Sequence, residues 1–177
     1  MTCRDRTTQI IGVGSLEPRH ESIDIFHLTR KEPLLYIEVG PGSTITFRQR
    51  EKEGPVIATA ECYEGKEGSS KIQMIESNST ILLDHIPRKL LVMSAKTTFV
   101  VAGRKYCWKG YNTLFDEKTD RLVAQFTPVE GDDNVTGELI VGTDKADIET
   151  LIIMSAFIMR HRSEARRRAV YLSSECC

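Results

Sequence analysis

What this chain of 177 residues lacks excludes several classes of protein at once. Its longest apolar segment falls well short of the roughly 18 residues that a membrane-spanning helix needs. The start, MTCRDRTTQ, has no apolar core of the kind a secretory signal carries, which points away from secretion by that route. Among the five cysteines, Cys3, Cys62, Cys107, Cys176 and Cys177, no two have the C-x-x-C spacing of a zinc knuckle or a redox dithiol. An odd count of this kind suits a reducing compartment. The four histidines, His20, His27, His85 and His161, form no H-x-x-x-H or H-E-x-x-H pair. There is no G-x-S-x-G elbow and no phosphate-binding G-x-x-x-x-G-K-[ST] loop. DEKTD at 116–120 lacks the ligand spacing of an EF-hand calcium loop and reads as a solvated hairpin tip. Aromatic residues make up only 7% of the chain, and they fall mostly inside strand patterns, so no stacking platform for nucleic acid is evident. The expectation is therefore a protein without metal, cofactor or catalytic motif.

What is present is 40% apolar and 28% charged residues, the composition of a chain that folds around a core. At this length one domain is the default. From Ile23 to Val141 about a dozen short apolar or alternating runs recur at spacings typical of a barrel or sandwich. They include Leu34–Val39, Thr44–Arg48, Val56–Cys62, Lys71–Ile75, Thr80–Leu83, Lys89–Met93, Thr97–Val101, Tyr106–Trp108 and Arg121–Thr127. Turn chemistry separates them at Gly40-Pro41-Gly42, at Glu53-Gly54-Pro55, at 65–68 and at 130–134. The stretch NTLFDEKTDRLVAQF predicts a hairpin bending at Glu117–Asp120. Cys62 and Cys107 lie inside strand patterns and read as buried free thiols.

The period then changes. IETLIIMSAFIM, residues 148–159, has no polar stripe, so a helix there must be enclosed on every side. Its twelve residues rise about 18 Å, short of a bilayer core of about 30 Å. Asp144 or Asp147 is suited to cap its start. The sequence thus predicts a mainly β protein: a closed antiparallel barrel of about twelve strands around a hydrophobic C-terminal helix at about 147–160. Residues 1–21 would be an N-terminal extension, 22–162 the barrel domain, and 163–177 a basic tail ending in Cys-Cys.

That order of elements resembles the tubby C-terminal-like superfamily of tubby proteins, phospholipid scramblases and LURP-one-related proteins. It is most similar to an uncharacterised fungal branch. The likeness rests on STITFRQREKEGPVIATAECY, on the aromatic-x-Trp strand of Tyr106, Cys107 and Trp108, on LVAQF and GELIV, and on the apolar helix. It covers about residues 23–162. The resemblance implies a barrel enclosing a helix; it carries no activity residue by residue. Tubby domains bind phosphoinositides, and scramblases add a palmitoylated segment and a calcium site that have no counterpart here.

The net charge of −1 conceals a segregation. Between residues 160 and 168, RHRSEARRR sets five arginines against one glutamate, an excess of four positive charges. The remainder of the chain therefore carries an excess of five negative charges. Arg160, Arg162, Arg166, Arg167 and Arg168 are the candidate anion-binding residues, with an anionic, phosphoinositide-like membrane surface as the expected partner. Cys176 and Cys177 resemble the double-cysteine ends geranylgeranylated in small GTPases, although the four-residue prenylation box is absent; palmitoylation is the other chemistry. A basic patch beside an acyl or prenyl chain is a two-signal membrane anchor. The expectation is a cytoplasmic, non-enzymatic binding or scaffold protein, peripheral at a membrane. One alternative is a protein-interaction module with an inert tail; another is a small-molecule or enzymatic site at a barrel end.

Overall fold

The computed structural model describes residues 8–15, 21–27, 31–63, 68–87, 95–127, 135–142 and 146–174. It is mainly β, an antiparallel sheet with one C-terminal helix. The strands are β1 (Thr8–Ser15), β2 (Glu21–His27), β3 (Pro33–Val39), β4 (Thr44–Gln49), β5 (Val56–Glu61) and β6 (Gly68–Met74). They continue with β7 (Ser79–Ile86), β8 (Lys96–Val101), β9 (Arg104–Lys109), β10 (Thr113–Asp116), β11 (Arg121–Thr127) and β12 (Val135–Val141). The helix is α1 (Ala146–Ser174).

From β2 to β12 each strand pairs antiparallel with the next. β1 is registered against β12 on one side and β2 on the other. This strand had been expected to lie outside the domain, within an N-terminal extension. Gly12 and Gly14 interrupt the apolar alternation of TQIIGVGS, and glycine weakens a strand signal, so this strand is not legible in the sequence. The expected strand at Lys89–Met93 lies outside the described residues.

The registers explain the core. His85, Thr97, Trp108, Leu114, Ala124 and Val141 lie opposite one another in turn across β7 to β12, and all six are buried. On the other side Ile23, Ile37, Phe47 and Ala58 form a corresponding row. Strand alternation puts every second side chain into such a row, so Thr46 and Arg48 face away from the core beside the fully buried Phe47. The α1 segment touches both rows. Phe157 meets Phe47 edge-on at 6.3 Å, and Ser155 accepts a 3.1 Å hydrogen bond from Trp108 Nε1. Ile148 and every residue from Leu151 to Met159 are buried, as a helix without a polar stripe requires.

The turns follow their chemistry. Gly42, at φ +69°, occupies the left-handed position of the Pro41–Ser43 turn between β3 and β4. The bend at Glu117–Asp120 joins β10 to β11 as expected. There Asp116 accepts the backbone N–H groups of Lys118 and Thr119 at 2.9 and 3.2 Å. That carboxylate therefore orders the hairpin tip, an Asx-type turn.

The helix cap and the helix end differ from expectation. The helix begins at Ala146, so Asp147 lies in its first turn and is not its cap, while Asp144 falls outside the described residues. The helix also does not stop near residue 160. It runs on to Ser174, 29 residues in all, about 43 Å at 1.5 Å per residue. The expected tail is therefore helical to that point. The charge change at Arg160 marks where the apolar surroundings end, whereas the helix continues because Arg, Ala and Glu are all good helix formers.

Candidate functional site

The basic segment divides into two parts. Arg160 and Arg162 are held against the protein. Arg160 Nε donates to Glu164 Oε1 at 2.7 Å, one helical turn on, and its guanidinium lies 5.7 Å from the centre of the Phe126 ring on β11. His161 stacks on Phe157, also one turn away, at 6.3 Å. Arg162 is only 3% exposed, and its Nε donates to the Tyr63 carbonyl at 3.0 Å. Of the arginines expected to face an anionic partner, Arg162 is thus buried and Arg160 half-buried in an ion pair. Such an environment favours a cation whose charge is met locally, because an uncompensated buried charge is costly. Arg166, Arg167 and Arg168 lie further along α1, and helical spacing places Arg166 one turn beyond Arg162. Cys176 and Cys177 fall outside the described residues.

Tyr63, the residue that receives Arg162, is the start of a polar chain running into the sheet. Its N–H donates to Ser70 Oγ at 2.9 Å. Ser70 Oγ lies 2.8 Å from His85 Nε2, and His85 Nδ1 lies 2.9 Å from Thr97 Oγ1. Ser70 Oγ already accepts from Tyr63, and the two ring nitrogens of His85 bridge the Ser70 and Thr97 hydroxyls, which can each donate or accept. A serine bonded to a histidine suggests a nucleophile and its base, but Ser70 is fully buried and His85 is 3% exposed. The geometry is that of a polar clasp inside the wall. Gly68, at φ +148°, leaves the space that the Tyr63 ring fills, because a Cβ there would overlap that ring. None of these roles was legible in the sequence. The partners are 7 to 15 residues apart, on different strands and turns, and no motif spans them.

Of the two cysteines expected to be buried strand thiols, Cys107 is buried on β9, whereas Cys62 lies just past the end of β5 and is half-buried. Burial pushes the Cys107 thiol up from its ordinary pKa, because the thiolate loses hydration. That thiol is correspondingly a poor nucleophile. The acidic hairpin at 116–120 is committed internally. Asp116 caps the tip, Glu117 pairs with Lys105 at 2.8 Å, and Asp120 pairs with Lys109 at 3.1 Å. Among the described residues no group of three or more His, Cys, Asp or Glu is placed to hold a metal ion, and no helix is long and apolar enough to cross a membrane. No family model, curated protein or solved structure matches this chain.

Proposed function

We propose that this chain is a non-enzymatic binding or scaffold protein that associates with anionic phospholipid surfaces through the C-terminal part of α1. In this reading the sheet is a tubby-like barrel of twelve strands, closed through β1 around the apolar half of the helix. The observation that carries the proposal is the course of α1: it leaves its apolar surroundings at Arg160 and continues as helix past Arg166–Arg168. Arg160 and Arg162 are engaged with Glu164 and Tyr63, so they belong to the body of the protein, and the lipid-facing set narrows to the other three. Consecutive helical residues are about 100° apart. Arg166, Arg167 and Arg168 therefore fan over about 200° of the helix circumference, and all three reach one plane when the helix meets it steeply.

Each basic residue near an anionic leaflet contributes about 1 kcal/mol, so three give about 3 kcal/mol, roughly a hundredfold in affinity. That is enough for reversible attachment and too little for a permanent one. An acyl or prenyl chain on Cys176 or Cys177 would supply the second signal. The protein would then be cytoplasmic and peripheral at a membrane. The test is sedimentation of the full chain with phosphatidylcholine vesicles, with and without phosphatidylserine or a phosphoinositide. Replacing Arg166, Arg167 and Arg168 together with Gln should lower binding to the anionic vesicles roughly a hundredfold at low salt and leave the melting temperature unchanged. Equal, salt-insensitive binding by both proteins would overturn the proposal.

A further inference from the structure

The outward side of the sheet from β6 to β11 carries an unusual pattern. Alternation turns Tyr106 and Trp108 into the core, so Lys105 and Lys109 point out. By the same rule Leu82, Ile86 and Val100 point out of β7 and β8, and they are 46%, 43% and 56% exposed. Leu122 on β11 is 51% exposed. These side chains are linked by register, because Asp84, Thr98, Cys107, Phe115 and Leu122 form one row across the strands, with Thr98 and Cys107 at its centre buried and Asp84 and Leu122 exposed at its ends. Leu82 and Val100 each lie two residues to one side of the Asp84–Thr98 pair. Ile86 and Lys96 lie two residues to the other.

Each exposed aliphatic residue of β7 and β8 has a lysine directly opposite it on a neighbouring strand. Leu82 faces Lys71, Ile86 faces Lys96, and Val100 faces Lys105. Cross-strand partners are about 5 Å apart. Lysine stems do cover apolar surface on ordinary sheets, but exposures of 43–56% are what remains after that cover. A wet sheet face ordinarily carries polar side chains at these positions.

We propose that this lysine–aliphatic face is a docking surface for a protein segment that carries large apolar side chains next to carboxylates. Charge selects the occupant. Lys71 and Lys96 offer cations beside Leu82 and Ile86. Lys105 and Lys109 are held by Glu117 and Asp120, whose side chains are 43% and 80% exposed; exposed pairs of this kind contribute about 0–1 kcal/mol, so a partner carboxylate replaces either one at little cost. An anionic bilayer fits less well, because its continuous headgroup layer would meet Asp84, Glu117 and Asp120 together with the lysines, whereas a peptide segment can set its few carboxylates at Lys71 and Lys96 alone. This surface is separate from the α1 arginines, and the two proposals stand or fall independently.

The test is solution NMR of the isotopically labelled full chain, titrated with a soluble peptide alternating Glu with Leu and Phe, and with its Gln-for-Glu counterpart. Expected are shifts confined to β6–β9, the 116–120 turn and Leu122, weaker with the Gln peptide and at high salt. The double variant Leu82→Glu, Val100→Glu should weaken binding at least about tenfold. Lys96→Gln with Lys105→Gln keeps the apolar groups and should remove most of the salt dependence. Leu82, Val100 and Lys105 are exposed and Lys96 is half-buried, and an unchanged amide spectrum away from the face verifies the fold. The proposal is overturned by shifts elsewhere or none at millimolar peptide, by equal binding of the Gln peptide, or if anionic vesicles perturb this face while the peptide does not.

Discussion

Replacing Arg162 separates stability from function in the basic segment. Its guanidinium is buried and donates to the Tyr63 carbonyl at 3.0 Å. A hydrogen bond from a charged donor contributes about 1.5–3 kcal/mol, and its removal leaves the Tyr63 oxygen without that donor. Arg162→Met keeps most of the aliphatic stem and should lose about 2 kcal/mol. Arg162→Ala also loses packing and should lose about 3 kcal/mol. For a domain of this size each kcal/mol lowers the melting temperature by about 2–4 °C, so the alanine variant should melt about 6–12 °C below the parent. Arg160→Ala removes only a partly buried pair one helical turn apart and a ring contact, about 1 kcal/mol. The measurement is thermal and urea unfolding of the variants beside the triple Gln variant at 166–168, which should fall within about 0.5 kcal/mol of the parent. Vesicle binding by folded Arg162→Met should match the parent. A melting temperature for Arg162→Met within about 1 °C of the parent would refute the reasoning, and Arg162 would return to the same class as Arg166.

Three further outcomes follow from the geometry. Ser155→Ala removes the acceptor of Trp108 Nε1, stranding a buried donor at a cost of about 1–3 kcal/mol; adding Trp108→Phe should cost less than the sum of the two single changes, and additivity in urea unfolding would argue against the bond. Burial raises the Asp24 carboxyl above its ordinary pKa of 3.8, so the folded protein favours its protonated form and ionisation opposes folding as pH rises through the raised value. Asp24→Asn should then stabilise at neutral pH and lose that advantage below pH 3.8; a gain independent of pH would contradict this. Deleting residues 1–15 removes β1 and leaves β2 and β12 as open edges, which should produce concentration-dependent association by light scattering. A monodisperse truncated protein would oppose closure through β1.

The legible parts of this protein were those written in period and polarity. Alternation around Phe47 and the all-apolar 148–159 each need only short-range pattern, and both reappear as buried rows and a buried helix. Lost to the sequence were features set by neighbours in space. Gly12 and Gly14 hid β1, whose place depends on β12 and β2, more than 100 residues away in one case. The Tyr63–Ser70–His85–Thr97 clasp joins residues that no local rule connects. The RHRSEARRR run shows the same division within nine residues. As text it is one cluster of cations. In the fold, Arg162 points back to a carbonyl 99 residues away and Arg160 to a glutamate one turn on, because α1 crosses there from apolar to polar surroundings while remaining helical. A cation at such a crossing must find a partner in the protein or cost stability; one beyond it need not. Charge counting alone therefore groups cations that the fold separates, and the position of each arginine along α1 is what assigns Arg160 and Arg162 to contacts within the protein.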